Sequence, residues 1–266
     1  MMKRIALVVP MLLWAASAHA QVVRVSAANF TPAAGQITFS EYAQGTVNPT
    51  YLPSQYGGGP SAPTVTFGGY FTGQSLSLTP GTDCPGAAAT ACVVGAATGP
   101  LTLASGSPNT FITGDGANPT SPVLSGSPTF NGPVSVLFNT DQVAVGFDGG
   151  FFDAAGSTGI VAFARDGTIL GTISNTGTGI EFLGLAVADG TARIAGVGLR
   201  LVGAEPAGFA IDNLRFGVAG QVTVPGVVAA APEPSTWAFI ITGFGLVGGA
   251  FRRSRARNGL TKLAIA

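Results

Sequence analysis

From Gln36 to Gly217 the apolar residues recur at every second position in short runs, and Gly, Pro, Asp, Asn or Ser stops each run. That period restricts the fold more than any other feature. Two-residue alternation gives a strand one apolar face, whereas a helix needs apolar residues three and four apart. QITFSEY (Gln36–Tyr42) sets Ile37 and Phe39 on one face, and TVTFGGYF (Thr64–Phe71) does the same with Val65 and Phe67. VSVLF (Val134–Phe138) and VAVGF (Val143–Phe147) lie close enough in the chain to be expected as a pair. In IVAFARDGTILGTI (Ile160–Ile173), Asp166-Gly167 predicts a hairpin with a type I′ turn, which needs positive φ at both central residues. Asp189-Gly190 repeats the signal between EFLGLAVA and TARIAGVGLRLV, and FAIDNLRF (Phe209–Phe216) is the last expected strand.

At least eight strands with no amphipathic helix predict an all-β chain, a β-sandwich of jelly-roll type over residues 21–218. Composition agrees: 40 of the 266 residues are glycine and 9% are charged, where about 25% is usual. Leu78–Pro133, rich in Pro, Gly and Ser, is expected as long loops over one end or edge. Residues 219–231, small and uncharged, read as a linker.

The ends carry different information. Lys3 and Arg4, an apolar run from Ile5 to Ala16 and Ala18-His19-Ala20 have the form of a signal peptide over residues 1–20, so an exported chain is expected. In an oxidising compartment Cys84 and Cys92, the only cysteines, are expected as a local disulfide. The alternative, a reactive thiol or half a metal site, lacks any other soft ligand. His19 is the only histidine and leaves with the signal peptide, while Lys3 and Lys262 lie outside the main domain. Ser-His-Asp, Cys-His and Ser-Lys catalysis are thereby excluded from that domain, as are His-ligated zinc and lysine-dependent phosphate loops. Carboxylate chemistry remains. Residues 21–231 hold eleven acids against five arginines, which does not suit a phosphate backbone, so no nucleic acid is expected as partner.

At the other end, residues 235–251 are uncharged and predict one transmembrane helix, short but within the usable range. Trp237 stands at its entry edge, and Arg252, Arg253, Arg255 and Arg257 form a membrane stop on the cytoplasmic side. Pro232-Glu233-Pro234-Ser235-Thr236-Trp237-Ala238, the apolar helix and the arginine cluster, in that order, resemble the PEP-CTERM sorting signal in its P-E-P-x-x-W-A variant, over residues 232–257. The same kind of segment is also known as an ice-binding protein C-terminal domain, a description of the tail that implies no ice binding. The resemblance implies an exosortase-type processing enzyme as partner, recognising Pro232, Glu233 and Pro234 with Trp237 and Ala238. It also implies transient anchoring in the inner membrane, then release or attachment at the cell surface in an organism that makes exopolysaccharide. Proline on both sides of Glu233 keeps that element extended. Residues 258–266 continue past the arginines, where such signals usually stop.

ITFSEYAQGT and FAIDNLRFG are similar to uncharacterised β-sandwich domains that precede this signal, and FAIDNLRF resembles the closing strand of jelly-roll carbohydrate-binding modules. That resemblance implies pairing of the first and last strands and a structural calcium ion shared by Glu41 and Asp212, with loop carbonyls near Gly45 and Thr46. Calcium takes six to eight oxygens, so two carboxylates are a minimum. Asp148 and Asp153 lie within FDGGFFDAAG and read as a turn and a loop cap, with a sugar or ion site as the alternative, and Phe151, Phe152, Tyr51, Tyr56 and Tyr70 are candidates for stacking on sugar rings. The expected function is a displayed sandwich that binds or scaffolds exopolysaccharide and is not an enzyme. The alternatives are a carboxylate-dependent glycoside hydrolase and a structural matrix protein without a defined ligand.

Overall fold

The computed structural model describes residues 22–116, 122–201 and 203–227, together with Thr242 and Phe244. Short strands come first: β1 (Val22–Arg24), β2 (Gly35–Ile37), β3 (Thr50–Tyr51), β4 (Val65–Gly68), β5 (Gln74–Leu76), β6 (Val93–Gly95), β7 (Thr110–Thr113) and β8 (Val123–Gly126). Longer ones follow: β9 (Ser135–Gln142), β10 (Ala144–Phe152), β11 (Thr158–Phe163), β12 (Ile169–Ser174), β13 (Gly179–Val187), β14 (Ile194–Leu201) and β15 (Ala210–Gly217). Among the described residues of this unit, helix is confined to one α-turn, Pro80–Asp83, and three short 3-10 turns. The chain is all-β.

A seven-stranded sheet runs β1-β13-β10-β15-β8-β7, with β2 also pairing with β15, and a six-stranded sheet runs β12-β11-β14-β9-β4-β3. Strands β5 and β6 form a separate two-stranded sheet, and the pairings are antiparallel. Alternate residues from both large sheets meet in one core: Val145, Phe147, Leu183, Leu185 and Phe216 from one, Val136, Phe138, Ile160, Val197 and Leu199 from the other. Phe138 and Phe216 touch across the layers, with ring centroids 5.2 Å apart. This is a sandwich-like arrangement, in which each inner face supplies every second side chain.

Several local expectations are corrected. Val134–Phe138 and Val143–Phe147 do not pair, because β9 belongs to the six-stranded sheet and β10 to the seven-stranded one. The chain changes sheet between them. Asp189-Gly190 is likewise a crossover from β13 to β14 rather than a hairpin, with Gly190 N–H donating to Val187 O at 2.9 Å. A turn signal sets the local bend, but the partner of each flanking strand is chosen by burial over the whole sheet. Asp166-Gly167 does close a hairpin, β11–β12, but only Gly167 has positive φ there. The turn is therefore not type I′. Gly167 N–H donates to Ala164 O and Ala164 N–H to Thr168 O, which makes a longer loop with one left-handed residue.

Residues 219–224, expected in the linker, are part of the domain. Thr31 N–H donates to Gln221 O, Thr223 N–H donates to Asn29 O, and Val224 is buried with Val25, Phe30, Val143, Ala144 and Ala186. That second apolar cluster covers one end of the outer face of the seven-stranded sheet. Compact unit boundaries fall at Met1–Val227 and Val228–Ala266. The expected signal peptide, the sorting motif Pro232–Ala238 and the stop arginines lie outside the described residues, as does the expected span apart from Thr242 and Phe244. Among the described residues no helix is long and apolar enough to cross a membrane.

Cys84 and Cys92 are disulfide-bonded, as expected, in the loop between β5 and β6. Both are buried in the main core. The bridge closes a short loop, so its entropic contribution is about 2.5 kcal/mol. Reduction, or the Cys84→Ser/Cys92→Ser double variant, is expected to lower the unfolding free energy by about that amount in denaturant titrations.

Candidate functional site

On β15 the apolar positions are Ile211, Leu214 and Phe216, all in the core. The step from 211 to 214 is one residue too long for simple alternation. The structure absorbs the extra residue as a β-bulge: Gly146 pairs with Arg215 and Asp148 with Asp212, with a register shift between them. Asn213 takes the extra place at φ +48°, a left-handed conformation that Asn tolerates better than most residues. The bulge returns Leu214 and Phe216 to the core and leaves Asp212 and Asn213 together on the outer side.

β10 has a second bulge nearby. Gly149 pairs with Glu181 and Phe152 with Gly179, again with a shift between. Phe147 and Phe152 both reach the core, whereas Phe151 stands out at 57% exposure. Gly149 is required between them, since a Cβ there would lie 2.8 Å from the Phe152 ring and 3.2 Å from the Phe147 ring. The two bulges therefore set Asp148, Phe151, Asp212 and Asn213 on one outer region of the seven-stranded sheet.

Asn213 ties that region together. Its Nδ2 donates to Asp148 Oδ2 at 2.9 Å and to Asp212 Oδ2 at 3.2 Å. Its Oδ1 accepts from Gln36 Nε2 at 3.2 Å. One amide thus joins β2, β10 and β15, and its N–H groups stand between two carboxylates that would otherwise repel. Beside them are two adjoining hollows that share Asp115 and Gly150. The larger, about 140 Å³, is walled by Phe130, Phe151 and Phe209. The smaller, about 10 Å³, touches Asp115, Asp148 and Asp212, which is room for little more than one water molecule.

The expected site residues are distributed differently. Phe151 is exposed, but Phe152 and Tyr51 are fully buried. Tyr51 packs on Phe39, Tyr42 and Phe67. Tyr56 packs edge-on against Phe216, and its hydroxyl donates to Pro63 O. Tyr70 is half-buried and lines neither hollow beside Phe151.

Asp148 and Asp153 have separate surroundings. Asp148 accepts from Asn213, and Asp153 Oδ2 accepts from the Ala207 N–H at 3.0 Å. β2 pairs with β15, Ile37 opposite Leu214, whereas the first strand, β1, pairs with β13. Glu41 and Asp212, however, have different partners. Glu41 Oε1 accepts from the Thr38 N–H and hydroxyl, both at 2.9 Å, while Asp212 faces Asn213. Among the described residues no group of three or more His, Cys, Asp or Glu is placed to hold a metal ion.

Glu205 went unremarked in the sequence, where GAEPAG offers only a loop composition. It is fully buried. Its carboxylate accepts from Ser157 Oγ at 2.5 Å and from the Asp153 N–H at 3.0 and 3.2 Å. Its backbone accepts from the Ala88 N–H and donates to Gly86 O, inside the disulfide loop. Glu205 thus fastens the β10–β11 loop to the Cys84–Cys92 loop. Loss of solvation on burial pushes its carboxyl up to about 7, against the pull of the Ser157 and Asp153 donors and with added repulsion from the Asp153 carboxylate.

No protein family, curated protein or solved structure matches the chain.

Two outcomes follow from this geometry. Asn213→Gly keeps the left-handed backbone and removes the bridging amide; it should cost about 1–3 kcal/mol in denaturant unfolding. Asn213→Ala should cost about 1 kcal/mol more, because alanine is strained at positive φ. Glu205 titrates near pH 7 folded and near 4.5 unfolded, so the folded state binds the extra proton between those values. Its contribution is full below about pH 4.5 and is lost as pH rises through about 7, an effect on the order of 3 kcal/mol. The thermal midpoint should fall between pH 5 and pH 8, and Glu205→Gln should flatten that slope.

Proposed function

We propose that this chain is an exported glycan-binding protein whose jelly-roll sandwich attaches to exopolysaccharide at the outer surface region around Phe151. The observation that carries the reading is the exposed Phe151 ring beside a cleft of about 140 Å³ with Asp115 on its wall. The exposed Phe151 ring continues the aromatic wall that Phe130 and Phe209 give this hollow, a mainly apolar surface with Asp115 as its one carboxylate. The apolar CH face of a sugar ring suits Phe151, and sugar hydroxyls are donors suited to the Asp115 carboxylate. The jelly-roll assignment is supported by two packed antiparallel sheets and by the pairing of β2 with β15.

Delivery belongs to the same proposal. The resemblance of Pro232-Glu233-Pro234, Trp237 and Ala238 to the PEP-CTERM signal supports recognition by an exosortase-type enzyme. On this reading residues 235–251 hold the chain in the inner membrane until processing, and Arg252, Arg253, Arg255 and Arg257 stay on the cytoplasmic side. The protein then reaches the cell surface or the matrix. It binds glycan and does not cleave it.

Phe151→Ala is expected to reduce retention of the purified full-length chain on immobilised polysaccharides about tenfold, the loss of one stacking contact, with an unchanged thermal midpoint. Undiminished retention would refute the Phe151 site. Release of reducing ends, abolished by Asp148→Asn or Asp153→Asn, would establish the glycosidase alternative. For delivery, fractionation of cells with and without the processing enzyme, with intact mass of the product, should give a shortened chain only when the enzyme is present.

A further inference from the structure

The six-stranded sheet has an outer face of its own. Val161 and Phe163 of β11 and Ala195 of β14 turn away from the core and pack with Phe71 and Leu101. The β5–β6 sheet stands beside this face, and a cleft of about 130 Å³ opens between them. Its exposed apolar side is Ile169, with Val161 and Phe163 buried behind it; Gln74 and Ser135 are its neutral polar groups, and Arg200 is its one charged residue. Gly198 lies buried at its base under Ser135 and Phe163, and a Cβ there would stand 3.2 Å from Ser135 Oγ.

Arg200 is exposed, and the residue across from it on β11 is Gly159, which presents no side chain. Three other arginines of the domain are spent on carboxylates: Arg24 on Glu181, Arg165 on Asp141 and Arg193 on Asp189. Arg200 forms no ion pair among the described residues. A guanidinium is a two-pronged donor matched to a carboxylate. Here it borders a cleft of about 130 Å³, room for one small ring and too small for a drug-sized ligand, which needs about 300 Å³ or more.

We infer that the cleft beneath β5–β6 binds a carboxylated sugar ring, a uronate residue of an acidic polysaccharide, with its carboxylate on Arg200 and its CH face on Ile169. This inference rests on the glycan-binding reading but uses a different site. The Phe151 region lies on the outer side of the seven-stranded sheet and the Arg200 cleft on the outer side of the six-stranded one. One domain could then hold two polysaccharide chains, and such bivalence raises retention in a matrix well beyond either site alone.

The test is calorimetric titration of the purified full-length chain with trimers of glucuronate, galacturonate and mannuronate and with the matching neutral hexose trimers. Wild type should bind at least one uronate trimer. Arg200→Gln should weaken that binding at least about tenfold and Arg200→Lys should restore part of it, since lysine keeps the charge without the fork. Phe151→Ala should leave it unchanged. Binding of no uronate trimer, or equal binding by Arg200→Gln, overturns the inference; the neutral trimers and Phe151→Ala then judge the Phe151 reading separately. If Phe151→Ala abolishes all binding and Arg200→Gln none, the Phe151 reading stands and the second site falls.

Discussion

Two surplus residues in neighbouring strands set the rest of this structure. A strand turns its side chains over at every residue, so one extra residue without compensation would expose half of a buried face. In β15 Asn213 absorbs the surplus at positive φ, and in β10 the Gly149–Phe152 stretch does so. Phe147, Phe152, Leu214 and Phe216 thereby stay in the core on both sides of the bulges. The polar residues and Phe151 are expelled outward at the same level of adjacent strands. The core and the candidate site are consequences of one arrangement.

The edge of β15 shows why the arrangement holds. β8 pairs with its first residues, Ala210 and Ile211, while β2 pairs with Leu214, Arg215 and Phe216. Asp212 and Asn213 fall at the break between these partners. The Asn213 side chain makes cross-strand bonds at this point, to Gln36 on β2 and to Asp148 on β10. Glu205 does comparable work at the loops, fastening the β10–β11 connection to the disulfide loop from a fully buried position. Three parts of the outer faces then differ in character: an aromatic and acidic region at the bulges, a cleft with one cation under β5–β6, and a closed apolar cover formed by residues around Val25, Phe30 and Val224.

Much of this was legible in the residues. Alternation in IVAFARDGTILGTI and FAIDNLRF marks strands that exist, while QITFSEY is strand only as far as Ile37, with Phe39 at positive φ beyond it; its paired part meets FAIDNLRF. FAIDNLRF even carries the bulge in its spacing, with apolar residues at 209, 211, 214 and 216, and FDGGFF signals the other through paired glycines. Pairing was less legible. The adjacency of Val134–Phe138 and Val143–Phe147 suggested a hairpin, and Asp189-Gly190 suggested another, but both are crossings between layers. Short separation favours a local pair only when the same layer has room for both strands. The aromatics were legible as a group and not one by one: Tyr51 and Phe152 are core, and Phe151, next to Phe152, is surface.

The sequence by itself determined the class of fold, because period-two alternation cannot bury a helix. It also determined the disulfide, since Cys84 and Cys92 have no other partner, and the chemistry left open to a domain without histidine or lysine. Tertiary structure alone decided which strands share a sheet, which of two consecutive phenylalanines meets water, and that Asn213 stands between Asp148 and Asp212. Those outcomes depend on contacts between residues 65 to 177 positions apart, such as Asn213 with Asp148 and with Gln36. No local propensity encodes them; they arise when two sheets compete to bury the same apolar faces.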